Sequence, residues 1–300
     1  MSAETHGGAR LAKSSAAVLI AAGLIVLMAF VNPASSADDG RIRVMASILP
    51  QAEFVEAVGG DHVSVTVMVE PGREPHTYAP TPSQMTDLEK ADIYFEVGSG
   101  LEFEIVWMPR FVELNDEMLV VNGSKDVRFI KMGEGGANDP HVWLSPKNAM
   151  TMVQNLCSGL IKVDPRNASD YQNNMNAYLQ RLDGLDANIS KALSPLENRN
   201  LLAFHPAWGY FAEEYGLTQI AIEENGREPT ALGLAELLDL VKKSNVSVVF
   251  AEPQFDTRMA QDVADEIGGA VVLVDDLARD YADNLESVAI KIAEGLSGNG

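Results

Sequence analysis

From Gly40 onward the apolar residues fall into two rhythms. Short runs rich in Val and Ile, at 42–48, 63–69, 93–97 and 118–121, read as strands. Between and after them, helical spacing covers 50–58, 82–90, 101–114 and 146–163, with Thr81 and Pro82 opening the second helix and Ser145 capping the fourth. The stretch 167–193 is different. It has no proline and one glycine, Gly184, and Tyr171, Met175, Tyr178, Leu182, Leu185, Ile189 and Leu193 recur at helical spacing. That predicts one amphipathic helix of ~40 Å, which fits a rigid connector between two halves and equally an ordinary helix packed within one. After residue 200 the alternation resumes, with strands at 201–204, 218–222, 246–251 and 270–274 and helices at 207–215, 231–243, 258–267 and 285–296. Strands alternating with helices predict an α/β chain whose sheets are mainly parallel and flanked by helices.

Residues 1–37 stand outside this pattern. Arg10 and Lys13 precede an apolar run from 16 to 31, followed by Pro33 and the small residues Ala34, Ser35, Ser36 and Ala37. That order is the order of a secretory signal. The run is shorter than the ~20 apolar residues that usually span a bilayer. An exported protein is expected, in the periplasm or on the outer face of the cytoplasmic membrane, with this segment cleaved or retained as an anchor. A hydrophobic fraction of 46% is too low for a polytopic membrane protein. The net charge of −21 repels phosphate backbones and argues against a nucleic-acid partner. Cys157 is the single cysteine, so a metal site must draw on His, Asp or Glu.

Five histidines make their settings informative. His6 lies in the N-terminal segment, and His62 follows Gly59-Gly60-Asp61, where a polar turn residue is expected. His76, His141 and His205 occupy loops, each beside a proline: Pro75, Pro140 and Pro206. Proline narrows the backbone conformations available, so a ligand held there loses little entropy on binding. His76 lies beyond the strand at 63–69, and His205 ends the strand at 201–204. Open α/β sheets bind ligands beyond the carboxyl ends of strands, and a cleft between the halves would bring these two together. Three neutral imidazoles suit Zn²⁺ and its first-row neighbours, whereas Ca²⁺ and Mg²⁺ prefer oxygen shells. One of Asp275 and Asp276, directly after the strand at 270–274, is expected to supply the fourth ligand. The same three histidines with Glu223, Glu224 or Glu252 as base would describe a zinc-dependent hydrolase, although a His-Glu-x-x-His helix is absent.

At these residues the chain resembles the extracytoplasmic metal-binding receptors of zinc and manganese ABC transporters. The resemblance runs from Arg41 to about Leu296. It is carried by Pro75-His76-Thr77-Tyr78-Ala79-Pro80, by Ala91-Asp92-Ile93-Tyr94 with Gly98 to Glu102, and by Asp139-Pro140-His141-Val142-Trp143. Further matches are Phe204-His205-Pro206-Ala207-Trp208, Gly226-Arg227-Glu228-Pro229-Thr230 and Ala251-Glu252-Pro253-Gln254-Phe255. It implies two lobes, 41–164 and 198–300, joined by a long helix within 165–197, with the metal in the cleft. It assigns His76, His141, His205 and Asp275 as ligands, with Asp276 in reserve, and implies that the chain is no enzyme. Histidine at position 205 favours zinc as cargo, with manganese second. The implied partner is the permease of an ABC transporter, approached by a monomeric receptor that closes modestly around its metal. A metal-binding surface adhesin is the alternative use of the same scaffold. Two departures stand out: there is no cysteine for a lipid near residue 37, and 125–138 has no histidine.

Overall fold

All pairings between the named strands are parallel, as short apolar runs separated by helices require. The computed structural model describes residues 40–132, 136–223, 227 and 229–298. The segment 1–37 lies outside the described residues, as do Glu224, Gly226, Glu228 and 133–135 of the glycine-rich loop. The first half runs β1 (Ile42–Ala46), α1 (Pro50–Gly59), β2 (Val63–Val67), α2 (Pro82–Leu88), β3 (Ile93–Glu96), α3 (Glu102–Leu114), β4 (Leu119–Asn122) and α4 (Pro146–Val163). Then comes α5 (Ala168–Leu193). The second half runs β5 (Asn200–Ala203), α6 (Gly209–Tyr215), β6 (Thr218–Ala221), α7 (Ala231–Lys243), β7 (Val248–Ala251), α8 (Arg258–Ile267), β8 (Ala270–Leu273) and α9 (Tyr281–Leu296).

The two sheets share one topology. Their orders are β2-β1-β3-β4 and β6-β5-β7-β8, so each chain path starts in the middle and leaves in opposite directions. That opens a crevice beyond the carboxyl ends of β1 and β3, and another beyond β5 and β7. Local chemistry sets the elements that border them. Thr81 and Gln84 form a capping box at the start of α2, with Pro82 in its first turn. Ser145 Oγ accepts the Asn148 N–H at 3.2 Å and starts α4 just past the His141 loop.

Alternation along the central strands decides which face each residue serves. In β5 and β7, Leu201, Ala203, Val248 and Phe250 enter the main core, whereas Leu202, Val249 and Ala251 enter a smaller cluster on the other face. The main core is continuous from Val44 in β1 through Tyr171, Leu182 and Ile189 of α5 to Ile292 of α9. The α5 helix therefore belongs to both halves. Its Tyr178 hydroxyl donates to Glu53 of α1 at 2.8 Å, and Arg181 pairs with Glu53 at 3.1 Å and with Asp283 of α9 at 2.7 Å. A helix packed on both sides resists bending about its middle. No helix among the described residues is long and apolar enough to cross a membrane.

Candidate metal centre

Each of the three loop histidines is fixed by a carboxylate before any ligand is considered. In the loop after β2, Glu74 accepts the backbone N–H groups of His76 and Thr77 at 2.6 and 3.1 Å, which sets the turn. His76 Nδ1 then meets Glu102 Oε2 at 2.5 Å, from the first turn of α3. Asp139 Oδ1 accepts both the backbone N–H of His141, at 2.9 Å, and its Nδ1–H, at 2.8 Å. His205 leaves the end of β5 with its backbone N–H directed at Glu252 Oε2, at 3.3 Å, and its Nδ1 2.7 Å from Glu223 Oε2. An ionised carboxylate only accepts, so each Nδ1 carries the proton and each Nε2 presents a lone pair.

The rings converge. Their centroids are 5.1 to 5.4 Å apart, and one ligand atom from each histidine lies within 4.8 Å of the other two. His141 Nε2 and His205 Nε2 are 3.2 Å apart, close to the ~3.3 Å edge of a tetrahedron with zinc–nitrogen bonds of ordinary length. His76 Nε2 is buried with no hydrogen-bond partner among the described residues. Lone pairs gathered in this way repel one another unless a cation or proton is shared. A carboxylate behind each metal-facing imidazole is the arrangement that orients ligands and raises their basicity.

Charge follows the same plan. Burial holds the His141 imidazole down at about 4, against the hydrogen bond and charge of Asp139, so it is neutral at physiological pH. Burial also pulls His76 down, but the hydrogen bond to Glu102 and the charges of Glu102, Glu74 and Asp276 outweigh it and leave the imidazole raised. The His76 bond in turn holds the Glu102 carboxyl below its usual range.

In the loop after β8, Asp275 is already engaged. Its Oδ1 accepts the Leu277 N–H at 2.9 Å and the Gln254 amide at 2.6 Å, so the side chain closes its own turn. The next residue has different surroundings. Asp276 is buried, its Oδ1 has no hydrogen-bond partner among the described residues, and it interacts electrostatically with both His76 and His205. Burial raises its carboxyl above the usual range, opposed by His205. Trp143 Nε1 holds the Asp276 carbonyl at 2.8 Å, and the Tyr281 hydroxyl holds the Trp143 carbonyl at 2.7 Å. These bonds tie the loop to the His141 segment across the cleft. Asp276 interacts electrostatically with His76 and His205, while among the described residues the group with ligand atoms within 4.8 Å of one another is His76, His141 and His205.

Neither described candidate base stands free. Glu223 is committed to His205, and Glu252 accepts the Trp208 indole N–H at 2.8 Å as well as the His205 backbone. Glu252 is fully buried, and burial together with the charge of Asp276 pushes its carboxyl well above the usual range. Phe255 stacks on the His205 ring, with centroids 4.8 Å apart. His62 sits elsewhere, 3.0 Å from Asp170 on the surface, as a turn residue would. Sequence reasoning missed Glu102 and Asp139 as imidazole partners, although both lie inside the quoted motifs, and weighed Glu223 only as a base.

Comparison with known proteins identifies the family. The family model for the zinc-uptake complex component A, periplasmic, matches residues 44–295. The manganese-binding lipoprotein MntA of Halalkalibacterium halodurans is 31% identical over 93% of this chain and 97% of that protein. The high-affinity zinc uptake system protein ZnuA of Bacillus subtilis is 29% identical over 88% of this chain and 89% of its own. Against the zinc-binding lipoprotein AdcA of Streptococcus pneumoniae, 28% identical over 77% of this chain, the match spans about half of the relative's length (49%). A crystal structure of ZnuA superposes with a TM-score of 0.82 at 38% identity, covering 85% of this chain and 99% of that one. With its two parallel sheets, its single connecting helix and its convergent histidines, the chain belongs to the zinc-uptake complex component A family.

Proposed function

We propose that this protein captures a divalent transition metal outside the cytoplasmic membrane and hands it to the permease of an ABC transporter. Zinc is the preferred cargo and manganese the second. The ligands are the Nε2 atoms of His76, His141 and His205 together with Asp276, in place of Asp275. The observation that carries the reading is the shared orientation of three imidazoles, each with its Nδ1–H on a carboxylate and its Nε2 toward one point. A set of three nitrogens and one oxygen suits zinc over manganese, which stands lowest in the divalent affinity order.

The lobes on this reading are 41–164 and 198–300, with the connector in 165–197. The core shared through α5 and the bonds from Trp143 and Tyr281 support a small closure with local ordering of the Asp276 loop. Residues 1–37 serve as export signal or anchor, and the receptor acts as a monomer. Because Glu223 and Glu252 are committed to positioning His205, a role as catalytic base has no support.

Calorimetric titration of the chain from residue 40 onward with Zn²⁺ and with Mn²⁺ tests the proposal. The expected result is one site per chain, tighter for zinc. His76→Ala, His141→Ala and His205→Ala should each weaken zinc by more than the ~10–100-fold typical of an outer-shell change. Unchanged affinity in all three variants would refute the ligand set.

A further inference from the structure

Glu104 has no part in the metal centre described above, yet its buried carboxylate accepts three hydrogen bonds. It lies in α3, is buried, and reaches back into the crevice beyond β1 and β3. Its Oε1 accepts the Ser47 hydroxyl at 2.5 Å and the Val97 N–H at 2.6 Å, and its Oε2 accepts the Gly98 N–H at 2.9 Å. Ser47 follows β1, and Val97 and Gly98 follow β3. One side chain thus ties together two strand ends and the first turn of α3.

Two lines run from that knot to the histidines. The α3 helix has no side-chain cap at Leu101, so Glu104 supplies the polar anchor of its first turn. Glu102, in the same turn, is the residue that holds His76 Nδ1. On the other side, Gly98 turns the chain with φ +74°, a conformation that favours glycine. The turn carries Ser99, whose buried hydroxyl donates to the Pro140 carbonyl at 2.6 Å, immediately before His141. The second sheet repeats the device: buried Glu252 fills the crevice beyond β5 and β7 and holds the His205 backbone N–H.

We infer that Glu104 is a positioning residue for metal capture, acting through Glu102 on His76 and through Ser99 on the His141 loop. The inference rests on the ligand set proposed above. It gives a role to a carboxylate at a fully enclosed position, where burying a charge is costly unless several donors satisfy it.

The test is zinc affinity by chelator competition, and zinc release rate by stopped flow, for Glu104→Gln, Ser99→Ala, Glu102→Gln and combinations. Glu104→Gln should weaken zinc about tenfold or more and speed its release, in the range of other outer-shell changes. Added to a Glu102→Gln, Ser99→Ala background, Glu104→Gln should change affinity by less than about threefold, because residues acting through one another are not additive. Wild-type affinity and release in Glu104→Gln would overturn the inference. So would a loss that appears in full in the double-variant background, since that marks a general structural role. If Glu104→Gln does not fold, Ser99→Ala decides, and unaltered zinc release in it overturns the inference. His76→Ala separates the two readings: its loss of binding with Glu104→Gln unaffected removes this inference alone, whereas wild-type binding in His76→Ala removes the ligand set.

Discussion

Asp276→Asn and Asp275→Asn form the sharpest pair of perturbations, because adjacent carboxylates have opposite surroundings. Asp275 Oδ1 has two donors, from Leu277 and Gln254, whereas Asp276 Oδ1 is buried without one among the described residues. A buried acceptor left unsatisfied costs about 1–3 kcal/mol, and more when it is charged. The raised Asp276 carboxyl has the matching sign: its penalty on the metal-free fold is present at neutral pH and fades as acid protonates it. Asp276→Asn removes the charge, so the metal-free protein should become more stable. At ~2–4 °C per kcal/mol for a chain of this size, its melting temperature should rise by several degrees. The same change removes an anionic ligand, so zinc affinity should fall at least ~100-fold, which is about 2.7 kcal/mol. Asp275→Asn should do the reverse, keeping zinc affinity within about threefold while lowering the melting temperature by loosening its turn, a cost of about 1 kcal/mol. Calorimetric titration and scanning calorimetry of both metal-free variants are the measurements. The reasoning fails if Asp275→Asn loses zinc as Asp276→Asn does. It fails equally if Asp276→Asn binds zinc normally and melts lower.

Two further outcomes follow from the same geometry. His141 is held at about 4 in the metal-free fold, below the ~6.5 of an unfolded histidine, so protons favour unfolding: its contribution to stability is whole above the unfolded value and is lost as pH falls toward 4, a total of about 3 kcal/mol. Urea titrations of the metal-free wild type and of His141→Gln should therefore differ in pH dependence by about that amount between pH 7 and pH 4, and parallel curves would contradict it. Glu223→Gln and Glu102→Gln, each removing the charged acceptor behind one imidazole, should weaken zinc ~10–100-fold with the stoichiometry preserved. Glu102 is far more exposed than Glu223 (59% against 10% of the side chain), so its loss should be the milder of the two in competition titrations.

Much of this was legible before any coordinates. The 26-residue α5 agrees within a residue at each end with the expected stretch 167–193, whose apolar residues recur at helical spacing. Thr81 and Ser145 cap the helices they were expected to cap. Where the pattern was weaker, the bounds moved: α9 begins at Tyr281, four residues before the first expected position, where Tyr281 packs on Phe54 and donates to the Trp143 carbonyl and the Ala282 N–H meets Glu53, all from the first half. The His76, His141 and His205 loops were recognisable from their prolines and strand ends. Two of their carboxylate partners were not, since Glu102 and Glu223 lie 26 and 18 residues away from the rings they orient.

What the sequence determined alone is whatever depends on near neighbours: the strand and helix periods, the parallel sheets that follow from their alternation, the charge that repels nucleic acid, and a small stock of histidines able to bind a soft cation. Tertiary structure decided the rest. Whether Asp275 or Asp276 is held in its own turn depends on which carboxylate the Leu277 N–H captures, and whether an imidazole offers Nδ1 or Nε2 can turn on a carboxylate from a distant element. Those choices are made by direction and distance after packing, and adjacent residues of identical chemistry carry no trace of them in the chain.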